Sequence, residues 1–361
     1  MARGDGSAER PYRLAVIAGD GVGPEVMAQA LRILELVAEK RGLRFALTRY
    51  PFGSEHYLRT NETFPPEALE EIRGHDAVLL GAIGDPRIET GLLERAIIAG
   101  LRFGLDLYIN LRPVKLYAEH LCPLKGITPA DIDMMVVREN TEDLYTGMGG
   151  HFKRGTPDEV ALQEMILTRK GADRLFRYAY ELARSRERKK LTLVDKANAV
   201  RAFDLWRRAF AEIGAEYPDV STNCQYVDAA CMNFVRDPGS YDVIVTSNVF
   251  GDIVTDLGAM IAGGMGLAAS GNLHPGQVSL FEPIHGSAPD IAGKNQACPL
   301  AAILSIQMLL DYLGHPGEGR AIEAAVEGAL VELEIPSAQA GNGLSTQEMG
   351  KIVARRVAAL L

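Results

Sequence analysis

The stretch YDVIVTSNVFGDIVTDLGAM, residues 241–260, decides the fold. Its first seven residues form an apolar, β-branched run too short for a helix, and from about residue 250 the apolar positions recur at helical spacing. A strand that feeds directly into a helix is the unit from which parallel sheets with helical faces are built. The same alternation recurs in YRLAVIA followed by residues 24–40, in DAVLLG followed by 89–101, and in KLTLVD followed by 199–213. The expected class is therefore α/β, a largely parallel sheet flanked by helices. Between about residues 145 and 167 the helical period fails and Gly, Thr and β-formers take over, as in YTGMGGHFKRG, which predicts hairpins or an excursion from the sheet. No internal repeat or low-complexity linker interrupts the chain.

The helical half of that stretch carries Asp252 and Asp256 in otherwise apolar or small surroundings. A spacing of four places the two carboxylates roughly 40° apart on one helix face. Like charges so placed repel by a few tenths of a kcal/mol unless a cation lies between them. That cation is a metal, an Arg or Lys, or else the pair is simply solvated.

With 361 residues, 47% hydrophobic and 24% charged, the chain has room for two domains or one large one. Its net charge of −9 is spread without long like-charge blocks or a basic stripe, so nucleic acid is not an expected partner. The start is polar, the first apolar run (LAVIAG) is short, and the apolar stretch 257–269 contains four glycines and is too short to span a bilayer. No membrane association and a cytoplasmic location are expected. Cys122, Cys224, Cys231 and Cys298 form no CxxC pair, which fits a reducing compartment better than a disulfide frame or a zinc site.

The loop GDGVGPE, residues 19–25, has proline where a dinucleotide fingerprint needs its third small residue; alone it reads as a turn at a helix start. INLRPVKLY and VVRENTEDLY each place an arginine, Arg112 and Arg138, at the expected end of an apolar strand, where α/β proteins bind ligands. A guanidinium there can hold a carboxylate with two hydrogen bonds, although any single arginine can equally form a surface ion pair. LVDKANA sets Lys196 just past a strand end, a place where burial and charged neighbours can fit a lysine for base work. EPIHGSAPDIAGKNQACP, residues 282–299, is irregular and small-residue-rich; it can lie along a ligand and offers His285 and Asp290 as polar contacts.

Taken in order, GDGVGPE, NLRPVKLY, VVRENTEDLY, LVDKANA, QYVDAA, NVFGDIVTDLGA and FEPIHGSAPDIAGK resemble the decarboxylating dehydrogenases of 2-hydroxy acids, the isocitrate/isopropylmalate dehydrogenase family. The resemblance runs from about residue 12 to the C-terminal end. It implies a two-domain α/β fold that binds NAD without a Rossmann domain, with residues 1–107 plus 265–361 as the cofactor-binding domain. Residues 108–264 would then form a substrate and dimerisation domain whose arm, about 145–167, clasps a second subunit. A homodimer with shared active sites is implied, Lys196 and Asp228 reaching across from the neighbour.

The same resemblance implies that Asp228, Asp252 and Asp256 bind Mg²⁺ or Mn²⁺, for which hard oxygen ligands are suited. It makes Lys196 the group that takes the substrate hydroxyl proton while hydride leaves for the nicotinamide, and Tyr145 the acid that protonates carbon 3 after loss of CO₂. Arg102, Arg112 and Arg138 would clamp the carboxylates of a small-molecule substrate, and Asn198 would lie near the nicotinamide. His285, Gly286, Ser287, Ala288, Asp290, Ile291 and Cys298 would contact the cofactor. Asp290 followed by Ile291 favours NAD over NADP. Two positions depart from the family pattern: Cys298 stands where an asparagine is common, and Asp143 where a glycine is usual.

Ahead of Arg102, Ile97, Ile98 and Ala99 fall where family members contact the group on carbon 3. An apolar wall favours an isopropyl group over a third carboxylate, whose unpartnered burial costs several kcal/mol. The expected reaction is oxidative decarboxylation of 3-isopropylmalate to 2-oxoisocaproate, a step of leucine biosynthesis, with D-malate or tartrate as the alternative substrate. A non-catalytic regulatory paralogue is disfavoured because no metal or base residue is lost, and a phosphate-transfer enzyme because no P-loop lysine follows the glycines.

Overall fold

The structure is a computed structural model that describes residues 10–361; residues 1–9, part of the polar start noted above, lie outside the described residues. The strands are β1 (Tyr12–Gly19), β2 (Phe45–Tyr50), β3 (Ala77–Ala82), β4 (Ile109–Lys115), β5 (Asp133–Glu139), β6 (Gly149–Phe152), β7 (Val160–Gln163), β8 (Lys190–Asp195), β9 (Ser221–Tyr226), β10 (Val243–Thr246), β11 (Ala269–Leu273) and β12 (Ser279–Pro283). The chain divides into two compact units. One comprises the residues up to 107 with 115–129 and 259–361, the other 108–114 with 130–258.

In the first unit the strand order is β2-β1-β3-β12-β11. β1 pairs in parallel with β2 and β3, and β3 with β12, while β11 and β12 are antiparallel. Every residue of β3 is buried, as a continuous apolar run in a parallel sheet covered on both faces requires. The helix Gly23–Arg41 starts with Pro24 and Glu25 in its first turn and stops at Gly42, whose φ of 69° is left-handed. It packs against the helices Leu300–Tyr312 and Thr346–Leu360. Residues 94–99 form a π-helical turn that runs into the short helix Gly100–Gly104.

The second unit has the order β4-β5-β10-β8-β9, with β5, β10, β8 and β9 all parallel. Register sets Thr246 beside both Arg138 and Val194, so the chain leaves three neighbouring strands at one carboxyl edge. The helices Arg169–Ser185 and Phe203–Gly214 pack on each other through Phe176, Trp206 and Phe210, whose rings meet edge-on. The stretch expected to leave the sheet folds as the exposed β6–β7 hairpin. One placement differs from expectation: Arg112 lies in the middle of β4 because that strand runs on through Pro113 to Lys115. Among the described residues no helix is long and apolar enough to cross a membrane.

Candidate functional site

The helix Asn248–Ile261 begins one residue after Ser247, directly beyond β10, so its first turns lie at the carboxyl edge of the second unit's sheet. Arg138, almost fully buried at the end of β5, is aimed at it. Its Nε and Nη2 donate to Asn248 Oδ1 at 3.0 and 2.7 Å, and Nη1 donates to Asp252 Oδ1 at 2.5 Å. Its aliphatic stem fits because residue 251 is glycine: a Cβ there would come within 2.4 Å of Arg138 Cγ. Arg112, also buried, donates to Asn110 Oδ1 and Thr255 Oγ1, both at 2.6 Å, and lies 3.2 Å from Asp252 and 3.9 Å from Asp256. Tyr145, carried on a 3₁₀ turn of residues 143–146, donates its hydroxyl to Asp252 Oδ2 at 3.1 Å and faces the Arg138 guanidinium.

Burial, and then the neighbouring Asp252 charge, hold the Asp256 carboxyl above its ordinary pKa, while the two arginines pull it down. Burial and Asp252 likewise raise the Tyr145 phenol, keeping it protonated. The site is thus an anion-binding pair of buried arginines set against two partly exposed acids.

Lys196 and Asp228 form a separate pair in the same unit, Nζ to Oδ1 at 2.5 Å, which lowers the Asp228 carboxyl below its usual pKa. Lys196 follows the buried Asp195, and Asn198 is exposed two residues on, in the turn closed by bonds from the Ala199 and Val200 amides to the Lys196 carbonyl. Among the described residues no three His, Cys, Asp or Glu side chains come together to hold an ion, so Asp228 does not join Asp252 and Asp256 within one chain.

In the first unit Arg102 donates to Glu282 Oε1 at 3.0 Å, which also accepts from Asn272 at 2.8 Å; Arg102 Nε is buried without a hydrogen-bond partner. Ile97 sinks fully into the core of this unit, whereas Ile98 is only partly buried against it. Gly286 and Ser287 line a cavity of about 310 Å³ with Gly84, Asp85, Glu89 and Glu94. His285 has a buried Nε2 with no hydrogen-bond partner, and burial lowers its pKa. Ala288 adopts a left-handed φ of 41°, Asp290 is exposed, and Ile291 is half-buried and closes the turn onto the Ala288 carbonyl. Cys298 is buried, its thiol 3.7 Å from the Gly266 carbonyl and pushed up to about 12 by burial.

The glycine loop earns its place here. Val22 N–H donates to the Ser287 carbonyl at 2.8 Å, and a Cβ on Gly21, at φ 55°, would sit 1.9 Å from that oxygen. Asp20 further accepts from Ser54 and Gly84 amides at 2.6 and 2.9 Å, tying the cavity's loops together. Asp85, Glu89 and Glu94 were not expected from sequence. The available signal was GAIGDPR, a Gly- and Pro-containing turn straight after β3, where parallel sheets place ligands.

These features define an α/β enzyme site that pairs arginine anion binding with helix-borne carboxylates. The profile of the isocitrate/isopropylmalate dehydrogenase family matches residues 13–353. Two 3-isopropylmalate dehydrogenases are similar: that of Thermobifida fusca is 50% identical over 97% of this chain and 98% of its own length, and that of Frankia casuarinae 52% identical over 96% and 99%. The crystal structure of isocitrate dehydrogenase from Methylococcus capsulatus superposes with a TM-score of 0.87 at 33% identity, covering 96% of this chain and 99% of that one. The chain belongs to the isocitrate/isopropylmalate dehydrogenase family, and it is an enzyme of the decarboxylating dehydrogenase type.

Proposed function

We propose that the protein catalyses the NAD-dependent oxidative decarboxylation of 3-isopropylmalate to 2-oxoisocaproate, in the cytoplasm and in leucine biosynthesis. The observation that carries this assignment is the cluster in which the buried Arg112 and Arg138 meet the partly exposed Asp252 and Tyr145, because it joins carboxylate recognition to acid and proton chemistry beside one helix. The names of the relatives support the substrate. Arg112 and Arg138 orient one substrate carboxylate, and Arg102 contributes the third guanidinium. Lys196 takes the proton from the carbon-2 hydroxyl. Tyr145, held protonated by burial, gives a proton to carbon 3 once CO₂ has left.

The donor set suits a divalent cation. Asp252 and Asp256 are hard oxygen donors on one helix face, and their mutual repulsion, which adds to burial in raising the Asp256 carboxyl, is what a cation would relieve. We assign Mg²⁺ or Mn²⁺ to these two residues together with Asp228 of the partner subunit. Bound there, the cation supplies Lewis-acid stabilisation of substrate oxygens, and NAD supplies the hydride acceptor.

NAD is assigned to His285, Gly286, Ser287, Ala288, Asp290, Ile291 and Cys298 with Asn198. A carboxylate at 290 repels a 2′-phosphate, so NAD should exceed NADP in kcat/KM by at least about tenfold. Residues 1–107 and 265–361 are assigned to the cofactor, and 108–264 to substrate and dimerisation. A homodimer is favoured by exposed apolar side chains in the second unit: Phe152, Val160 and Leu162 on the hairpin, Met232 and Val235 on the helix Val227–Arg236, and Ile253 on the acid-bearing helix. Ile98 is assigned to the apolar group on carbon 3.

Initial rates of NADH formation with 3-isopropylmalate, D-malate, tartrate and isocitrate, each with Mn²⁺, test the assignment. 3-Isopropylmalate should give the highest kcat/KM. A tenfold preference for any of the others would refute the substrate.

A further inference from the structure

Asp143 stands in TEDLYTG, two residues before Tyr145, at a backbone φ of 70° that L-residues rarely adopt and glycine favours. Its side chain is completely buried. One carboxylate oxygen accepts from the Leu144 amide at 2.8 Å, inside the turn that carries Tyr145. The other accepts from the Val249 amide at 2.9 Å, in the first turn of the helix that carries Asp252. Its own amide donates to the Ile166 carbonyl at 2.8 Å, at the far end of the hairpin excursion. A carboxylate at a helix N-terminus satisfies an otherwise orphaned N–H and opposes the positive end of the helix dipole.

These bonds close a ring. Tyr145 OH reaches Asp252 Oδ2, Asp252 lies one turn along the helix from Val249, and Val249 is held by Asp143, which holds the turn of Tyr145. Asn248 reinforces the ring by donating to the Glu142 carbonyl at 3.2 Å while its own oxygen receives Arg138. A glycine at 143 would adopt the same backbone more easily but could make neither side-chain bond. The left-handed conformation is therefore tolerated for the sake of a clamp that spans 106 residues of sequence.

We propose that Asp143 is a positioning residue that fixes the Tyr145 hydroxyl against the acid-bearing helix, and so sets the rate of the proton transfer assigned to Tyr145. The inference rests on that assignment and deepens it. Because Asp143 acts through Tyr145, removing its side chain matters only while the phenol is present.

The test is a double-mutant cycle of Asp143→Gly and Tyr145→Phe, followed by steady-state kinetics with 3-isopropylmalate, NAD and Mn²⁺. Asp143→Gly should lower kcat roughly tenfold with KM within about twofold, since small displacements of a reacting group cost rate more than binding. In the Tyr145→Phe background the same change should alter kcat by less than about twofold. Asp143→Asn, which keeps one acceptor and tolerates the left-handed backbone, should stay within about fivefold of the native kcat. Independently of turnover, amide hydrogen exchange in residues 248–251 of the metal-free protein should quicken in Asp143→Gly. Native kcat in Asp143→Gly, an equal loss in both backgrounds, or unchanged exchange overturns the inference while leaving the role of Tyr145 intact. Native kcat in Tyr145→Phe instead removes the tyrosine from the chemistry and this inference with it.

Discussion

Asp195→Asn separates stability from chemistry next to Lys196. Asp195 is fully buried at the end of β8, where Oδ2 accepts from Arg207 Nε at 2.7 Å and Oδ1 accepts from Arg207 Nη2 and the Ala197 amide, each at 3.0 Å. Removing one partner of a wholly buried pair costs about 3–5 kcal/mol. Arg207, however, has a side chain 35% exposed and faces the Tyr226 ring, so water takes over part of its solvation. The asparagine also keeps one oxygen for the Ala197 amide, while its NH₂ is forced against an arginine donor. A cost of about 2 kcal/mol results. At about 2.1 cal/mol/K of unfolding entropy per residue, a chain of 361 residues shifts by roughly 1.3 °C per kcal/mol, so the melting temperature should fall by about 2–3 °C. Because the Ala197 bond that shapes the Lys196 turn survives, kcat well below the transition should fall by less than about threefold. Asp195→Ala loses that bond too, and should lose about 4 kcal/mol together with about tenfold in kcat. Calorimetry with NADH-formation assays reads both quantities. A melting temperature for Asp195→Asn within about 1 °C of native would show that the pair contributes no net stability, and the reasoning from burial would fail.

If Lys196 and Asp252 serve one site from different subunits, refolding an equal mixture of Lys196→Met and Asp252→Ala chains should restore about a quarter of native activity. Random pairing gives about half heterodimers, each with one intact site; no recovery in tagged, purified heterodimers would place both residues in one subunit's site. Gly251→Ala adds helix propensity worth about 1 kcal/mol, yet its Cβ would meet Arg138 Cγ at 2.4 Å, so a rise of at least about tenfold in substrate KM is expected by steady-state kinetics. Glu139 is buried so deeply that its carboxyl is pushed up to about 7, against the pull of hydrogen bonds from Thr141 and Glu142 amides. The folded state holds this proton longer than the unfolded chain does, so Glu139 weakens the fold progressively from about pH 4.5 to 7. Urea unfolding should show a smaller stability decline across that window in Glu139→Gln than in the native protein.

The parts of the site written in short spacing were legible from sequence. Asp252 and Asp256 are four residues apart, and that spacing alone predicts a shared helix face. The fold was legible for the same reason at β1, β3, β8 and β10, each an apolar run followed by a helix, whereas the polar β9 (STNCQY) carries no such signal. What escaped depends on partners distant in the chain. Nothing local to Arg138 points to Asn248, 110 residues away, and nothing in GDGVGPE reveals that Gly21 is required by the Ser287 carbonyl. The π-helical turn at 94–99 was illegible because its wider turn does not follow the 3.6-residue period by which helices are read from sequence. Asp143 was visible only as an unusual residue; its meaning lies in the Val249 amide.

Charge balance ties the arginine–aspartate cluster to the class of substrate. In the second unit Arg112 and Arg138 oppose Asp252 and Asp256, two cations against two anions, and a protonated Tyr145 adds no charge. The cluster is therefore neutral by itself. This explains how two acids can share an apolar helix face: the arginines act as internal counter-ions, at 2.5 to 3.9 Å, through partly buried surroundings where the attraction is stronger than in water. A divalent cation added to such a site leaves two positive charges unmatched, and a dicarboxylate such as 3-isopropylmalate matches them. A tricarboxylate brings one negative charge more than these four residues and the cation neutralise, so it must draw on a further cation such as Arg102 to be held out of water. Cation and dianion thus favour each other's binding through simple neutralisation.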